Sequence, residues 1–92
     1  MPTESVIVRR IMEQLKQLPQ TKALKLHGSI YVELGTPDIH ITHKGRSYWC
    51  EVKQPGRMLT LIQAQRLKEW RDAGATVGVV HSWDEVREIL NL

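Results

Sequence analysis

The chain has 92 residues, of which 41% are hydrophobic and 25% charged, and a formal net charge of +3. That length accommodates one domain, residues 1–92, and no apolar run approaches the roughly 20 residues that span a membrane. The lone cysteine, Cys50, excludes an internal disulfide and a cysteine-built metal cage.

Met1–Ser5 carries no basic start followed by an apolar block, so no secretory signal is read. Together with the single cysteine, this gives a cytoplasmic expectation. A domain this small buries only about 60–65% of the surface its unfolded chain exposes, so a partner chain would help it.

The first element is a helix of roughly residues 4–18, capped by Thr3 and followed by Pro19. Ile7, Ile11, Leu15 and Leu18 make its apolar stripe, and Glu4 extends that stripe rather than the solvent face. Lys22–His27 reads as a short strand and Gly28-Ser29 as a turn. Ile30–Leu34 fits an extended piece or a loop equally well. Gly35-Thr36-Pro37 then breaks the chain.

Asp38–Thr42 alternates as a strand does, with Ile39 and Ile41 on one face and Asp38, His40 and Thr42 on the other. His43-Lys44-Gly45-Arg46 is a hairpin turn. Ser47–Gln54 returns, with Tyr48, Cys50 and Val52 on one face and Trp49, Glu51 and Lys53 on the other. After Pro55-Gly56, Thr60 and Gln63 form a capping box that opens a helix to about Ala73, stopped by Gly74. Thr76–His81 is expected as a buried strand. Ser82 and Glu85 suggest a second capping box, and a last short helix buries Val86, Ile89 and Leu90. The fold class is α/β, with a mixed sheet in the order α-β-β-β-α-β-α and a right-handed parallel crossover from about 47 to 81.

Charge is unevenly spread. Between residues 40 and 60 the bases are Lys44, Arg46, Lys53 and Arg57, against the single acid Glu51. A basic middle suits an anionic partner such as nucleic acid, and equally a solvated hairpin.

Hairpin arithmetic brings three of these charged residues together. A turn centred near residues 44–45 pairs residues whose numbers sum to about 89, so Asp38 faces Glu51. Two facing carboxylates repel unless a cation lies between them, and hard oxygen ligands suit Mg2+ or Mn2+. Lys53 projects from the same face about 7 Å further along. A metal ion there would polarise a phosphodiester and acidify a bound water, with the lysine beside it. A plain salt bridge from Lys53 to Glu51 or Asp38 is the competing reading.

Gly35-Thr36-Pro37-Asp38 followed by Glu51-Val52-Lys53 resembles the signature of the PD-(D/E)XK nuclease superfamily. More narrowly, the chain is similar to VRR-Nuc (virus-type replication-repair nuclease) domains. Those open on a helix with an early Glu, continue through G-x-P-D and E-x-K, and place a Gln in the next helix. Glu4, Gln63 and the strand Val77–Ser82 fit in order, so the resemblance covers nearly the whole chain. The Asp38–Glu51 interval is short, and Leu61 stands where a proline is expected.

The resemblance implies that Asp38, Glu51 and the main-chain carbonyl of Val52 bind the metal. It implies that Lys53 is the catalytic lysine, that Gln63 sits near metal or water, and that Glu4 reaches in from the first helix. The residues themselves also allow Glu4 to serve only the helix dipole and Gln63 only the cap.

His27, His40, His43 and His81 are scattered. His40 shares the Asp38 face and reads mainly as a polar filler. Cys50 should point into the core, Trp49 should flank the active face, and Trp70 and Trp83 suit packing. Lys44, Arg46, Arg57, Lys25 and Arg10 (or Arg9) are candidate phosphate contacts.

The expectation is a Mg2+- or Mn2+-dependent deoxyribonuclease with no small-molecule cofactor. With no base-reading motif, it would read DNA by backbone and shape. By the resemblance it is a homodimer selective for branched DNA such as four-way (Holliday) junctions, in a bacterial or phage-infected cell. The rivals are a duplex, flap or repair endonuclease of the same superfamily and a catalytically silent nucleic-acid-binding module.

Overall fold

The computed structural model describes all 92 residues. Its elements are α1 (Glu4–Leu15), β1 (Thr21–Lys25), β2 (Ile39–His43), β3 (Arg46–Val52), α2 (Leu61–Asp72), β4 (Thr76–Val80) and α3 (Trp83–Ile89). The order matches the sequence reading.

Helix α1 begins as expected, with Thr3 Oγ1 accepting from the Val6 N–H. It ends at Leu15, three residues before the expected Leu18. Gln17 N–H and Leu18 N–H donate to Gln14 and Leu15, so the last turn tightens. Pro19 disfavours helical backbone at the residue before it, which explains the early stop.

The sheet has the order β1-β2-β3-β4. The β1–β2 and β2–β3 pairs are antiparallel, and β3–β4 is parallel. The hairpin register pairs Ile39 with Cys50 and Ile41 with Tyr48, as the turn arithmetic requires. Lys44 and Gly45 at its tip have φ of 49° and 80°, the left-handed backbone of a tight hairpin.

Helices cover both faces. On one, Ile7, Val8, Ile11 and Leu15 of α1 and Val86 of α3 pack with Leu90 on Ile39, Ile41, Tyr48, Cys50, Val52 and Val80. This is the main core, and Cys50 lies in it with its thiol pKa pushed up to about 12 by burial. On the other face α2 lays Trp70 on Trp49, ring centroids 4.1 Å apart, and Trp49 lies 4.5 Å from His40. Leu67 is buried on the same helix.

Two local expectations change. β4 is an edge strand in which only Val80 is buried, because one backbone edge has no neighbour and its two helices cover it incompletely. Gly78 there lets α3 approach; a Cβ would lie 2.6 Å from Ile89 Cδ1. Ser82 caps α3 by accepting from the Glu85 N–H, yet Glu85 turns its carboxylate back to the N–H and ring of His81, so the second box is not reciprocal. Residues 30–34 form neither strand nor helix. They belong to a loop that docks on α2, where Arg66 donates to the Leu34 carbonyl and pairs with Glu33.

Candidate active site

β2 begins and β3 ends at the same edge of the molecule because they run antiparallel. One pair beyond Ile39–Cys50, the register sets Asp38 opposite Glu51. Asp38, Glu51 and Lys53 are 8%, 2% and 8% exposed, so all three charges are largely withdrawn from water. Such burial is costly unless each charge finds a partner.

The two carboxylates are served unequally. Asp38 Oδ2 accepts from the Val52 N–H at 2.8 Å, and Oδ1 is 2.7 Å from His27 Nδ1. Glu51 has Lys53 Nζ at 4.0 Å, at the limit of an ion pair. Its pKa is pushed up to about 9, first by burial, then by the charge and hydrogen bond of Asp38, with Glu4 adding to the rise and Lys53 opposing it. At neutral pH and without a cation, Glu51 therefore keeps a proton that Asp38 can accept.

Glu4 is brought in from α1. Its Oε2 accepts from the Gln54 N–H at 3.3 Å, just past Lys53, and its charge acts on Glu51. Gln63 stands further out. Its carboxamide oxygen accepts from the Thr60 N–H at 3.0 Å while Thr60 Oγ1 accepts from the Gln63 N–H, which completes the capping box. No hydrogen bond joins Gln63 to Asp38, Glu51 or Lys53.

The Val52 N–H points at Asp38, and in a strand the N–H and C=O of one residue point to the same side. The Val52 carbonyl therefore faces Asp38 as well. No group of three His, Cys, Asp or Glu side chains converges to form an ion site alone. Two facing carboxylates and a carbonyl still fit Mg2+, which keeps several waters and commonly takes only one or two carboxylates plus substrate phosphates. The same oxygen donors suit Mn2+.

His27 is the residue the sequence left without a role. Besides bonding Asp38 it lies 3.1 Å from Ser5 Oγ through Nε2, so a chain of hydrogen bonds runs Ser5–His27–Asp38. The Leu26 and His27 N–H groups both donate to the Asp38 carbonyl, which holds the histidine there. The β1–β2 register would have revealed it, but the loop between those strands gives no register from sequence. His40 is instead a packing residue. It bonds Ser47, lies tilted against Trp49, and has its pKa lowered by burial.

The expected phosphate contacts are scattered. Lys44 and Arg46 sit at the hairpin tip, roughly 17 Å along β3 from Glu51. Arg57 lies on the exposed loop after β3, Lys25 ends β1 near His27, and Arg10 lines a cleft with Pro2, Pro55 and Trp83.

A mixed four-stranded sheet between helices, with facing acids at the start of one hairpin strand and the end of the other, is a restriction-endonuclease-like α/β arrangement. Within that class it has the VRR-Nuc fold. A solved structure of a VRR_NUC domain matches 96% of this chain and 94% of its own, with a TM-score of 0.77 and 24% sequence identity. No protein-family model and no curated protein matches the chain.

Proposed function

We propose that this protein is a metal-dependent DNA endonuclease that hydrolyses phosphodiesters in branched DNA, with four-way junctions as the preferred form. The observation that carries the reading is the buried Asp38–Glu51 pair with Lys53 beside it. It sets two carboxyls against one ammonium in a dry place, where one carboxyl keeps its proton, and a divalent cation would stabilise both as carboxylates. The VRR-Nuc fold supports the same reading.

Asp38, Glu51 and the Val52 carbonyl would hold Mg2+ or Mn2+. The ion, when bound, supplies positive charge to a phosphate oxygen and makes a bound water more acidic. Asp38 is kept in one orientation by the Val52 N–H and His27. Lys53 directs its ammonium into the same buried space and faces the negative charge that grows on the phosphoryl oxygens. Glu4 adds acidic charge from α1, and Gln63 sets the start of α2 beside the loop of residues 28–36.

Two copies would serve the two strands of a junction, and a C2 dimer is the simplest such assembly. Ile30, Tyr31, Leu34 and Leu61 are exposed on that loop and the α2 start, which supports a partner for this surface. A cytoplasmic setting completes the reading.

The test is cleavage of a labelled four-way junction, its component duplexes and a flap, in Mg2+ or Mn2+, with a parallel solution mass. Lys53→Ala and Asp38→Asn should each lower the rate by about 100-fold or more. Failure of the wild type to cut any DNA with either ion would refute the nuclease reading. Unaltered cutting by the two variants would refute the site.

A further inference from the structure

Helix α1 runs away from the site, and β1 returns toward it. Between them lies an open groove of about 590 Å³, lined by Ser5, Arg9, Met12, Glu13, Lys16 and Lys25. Three of those side chains are cationic and one is acidic. None of the three cations takes part in an ion pair, whereas Arg66 and Lys68 on α2 are paired with acids. Unpaired cations facing one another across a groove favour a polyanion over solvent alone.

The groove is joined to the site. Ser5 lines its near end and bonds His27, which bonds Asp38. Ser5 and Arg9 lie on α1 and Lys16 is its C-cap, a span of about 16 Å at 1.5 Å per residue. On β1, Lys25 projects from the strand face that α1 covers. The track is thus cationic and linked to the buried acids through Ser5 and His27.

We infer that this α1–β1 groove carries the sugar–phosphate backbone of the DNA strand leading away from the cleaved bond, with Arg9, Lys16 and Lys25 contacting successive phosphates. This rests on the nuclease reading and adds the path of the substrate. It assigns backbone contact to the groove rather than to the hairpin tip, where Lys44 and Arg46 stand at the far end of the sheet. Lys16 thereby acquires a role, Arg9 rather than Arg10 becomes the contact from α1, and Ser5 marks where the strand turns into the site.

The measurement is fluorescence anisotropy of a labelled junction and duplex against salt, with no divalent ion present. The proteins are wild type, Arg9→Ala/Lys16→Ala/Lys25→Ala, Lys44→Ala/Arg46→Ala and Glu13→Lys. All six substitutions lie on exposed residues, and melting curves verify folding. Each lost phosphate contact should reduce the slope of log K against log salt by about 1, so the groove variant should lose about 2–3 in slope and bind at least about tenfold more weakly. Glu13→Lys should bind more tightly than wild type. The hairpin-tip variant should keep the wild-type slope.

A groove variant with wild-type affinity and slope overturns the inference, and so does a larger loss from the hairpin-tip pair. Cleavage separates the two claims. A wild type that cuts DNA with an inert groove sinks only the groove; a wild type that binds DNA with the stated slopes but never cuts sinks only the nuclease.

Discussion

Replacing Glu51 with Gln should make the protein more stable and unable to hold a metal ion. The carboxyl is 2% exposed, faces Asp38 and has only a distant Lys53 to offset it. Its pKa is about 9 in the fold against 4.5 in the unfolded chain. A raised acid binds more protons in the native state. The stability it contributes is fully present below 4.5 and is lost as the pH rises through about 9. At pH 7 about 2.5 pH units of that window have been crossed, at about 1.36 kcal/mol each, which puts the penalty at about 3 kcal/mol as an upper bound.

Glutamine removes the titration and keeps the shape, so Glu51→Gln should raise Tm by several degrees at pH 7 in chelator. The assay is thermal melting at pH 5, 7 and 9, with chelator or with Mn2+. The wild type should lose stability steadily toward pH 9 in chelator, and Mn2+ should restore it. The variant should be flat over that range and indifferent to Mn2+. A flat wild-type profile in chelator would refute the buried, uncompensated carboxyl. Equal Mn2+ stabilisation of both proteins would refute Glu51 as a ligand.

His27→Ala leaves Asp38 Oδ1 without its partner, and Mn2+ affinity measured by calorimetry should fall about 10–100-fold while the melting temperature in chelator changes little. Gln63→Ala opens the α2 capping box and should cost about 1 kcal/mol in denaturant unfolding; Gln63→Glu keeps a side-chain acceptor and should retain most of that stability. If Gln63 serves only the cap, Gln63→Glu also cuts DNA at the wild-type rate. Gly35→Ala places a Cβ 2.9 Å from the Ile62 carbonyl oxygen at a φ of 82°, and should cost about 2 kcal/mol or more and loosen the loop, read as faster hydrogen exchange over residues 28–36.

Local chemistry alone settled a good deal of this protein. Thr3 and Thr60 start their helices because a hydroxyl answers a free N–H within three residues, and the hairpin register follows from a tight turn at Lys44-Gly45. That register, with period-2 alternation, placed Asp38 opposite Glu51 and Lys53 on the same face before any packing was known.

What tertiary structure alone decided depends on long-range approach. The pairing of β1 with β2 brings His27 to Asp38 across a loop whose length carries no register, and the α1–β1 groove arises only once α1 lies along β1. Edge position leaves β4 half exposed despite its run of valines. Glu4 meets the Gln54 N–H across 50 residues of chain, and the dryness that raises Glu51 comes from helices on both faces. The facing acids were legible because a hairpin is a local object; their surroundings were not, because burial and partner choice belong to the whole fold.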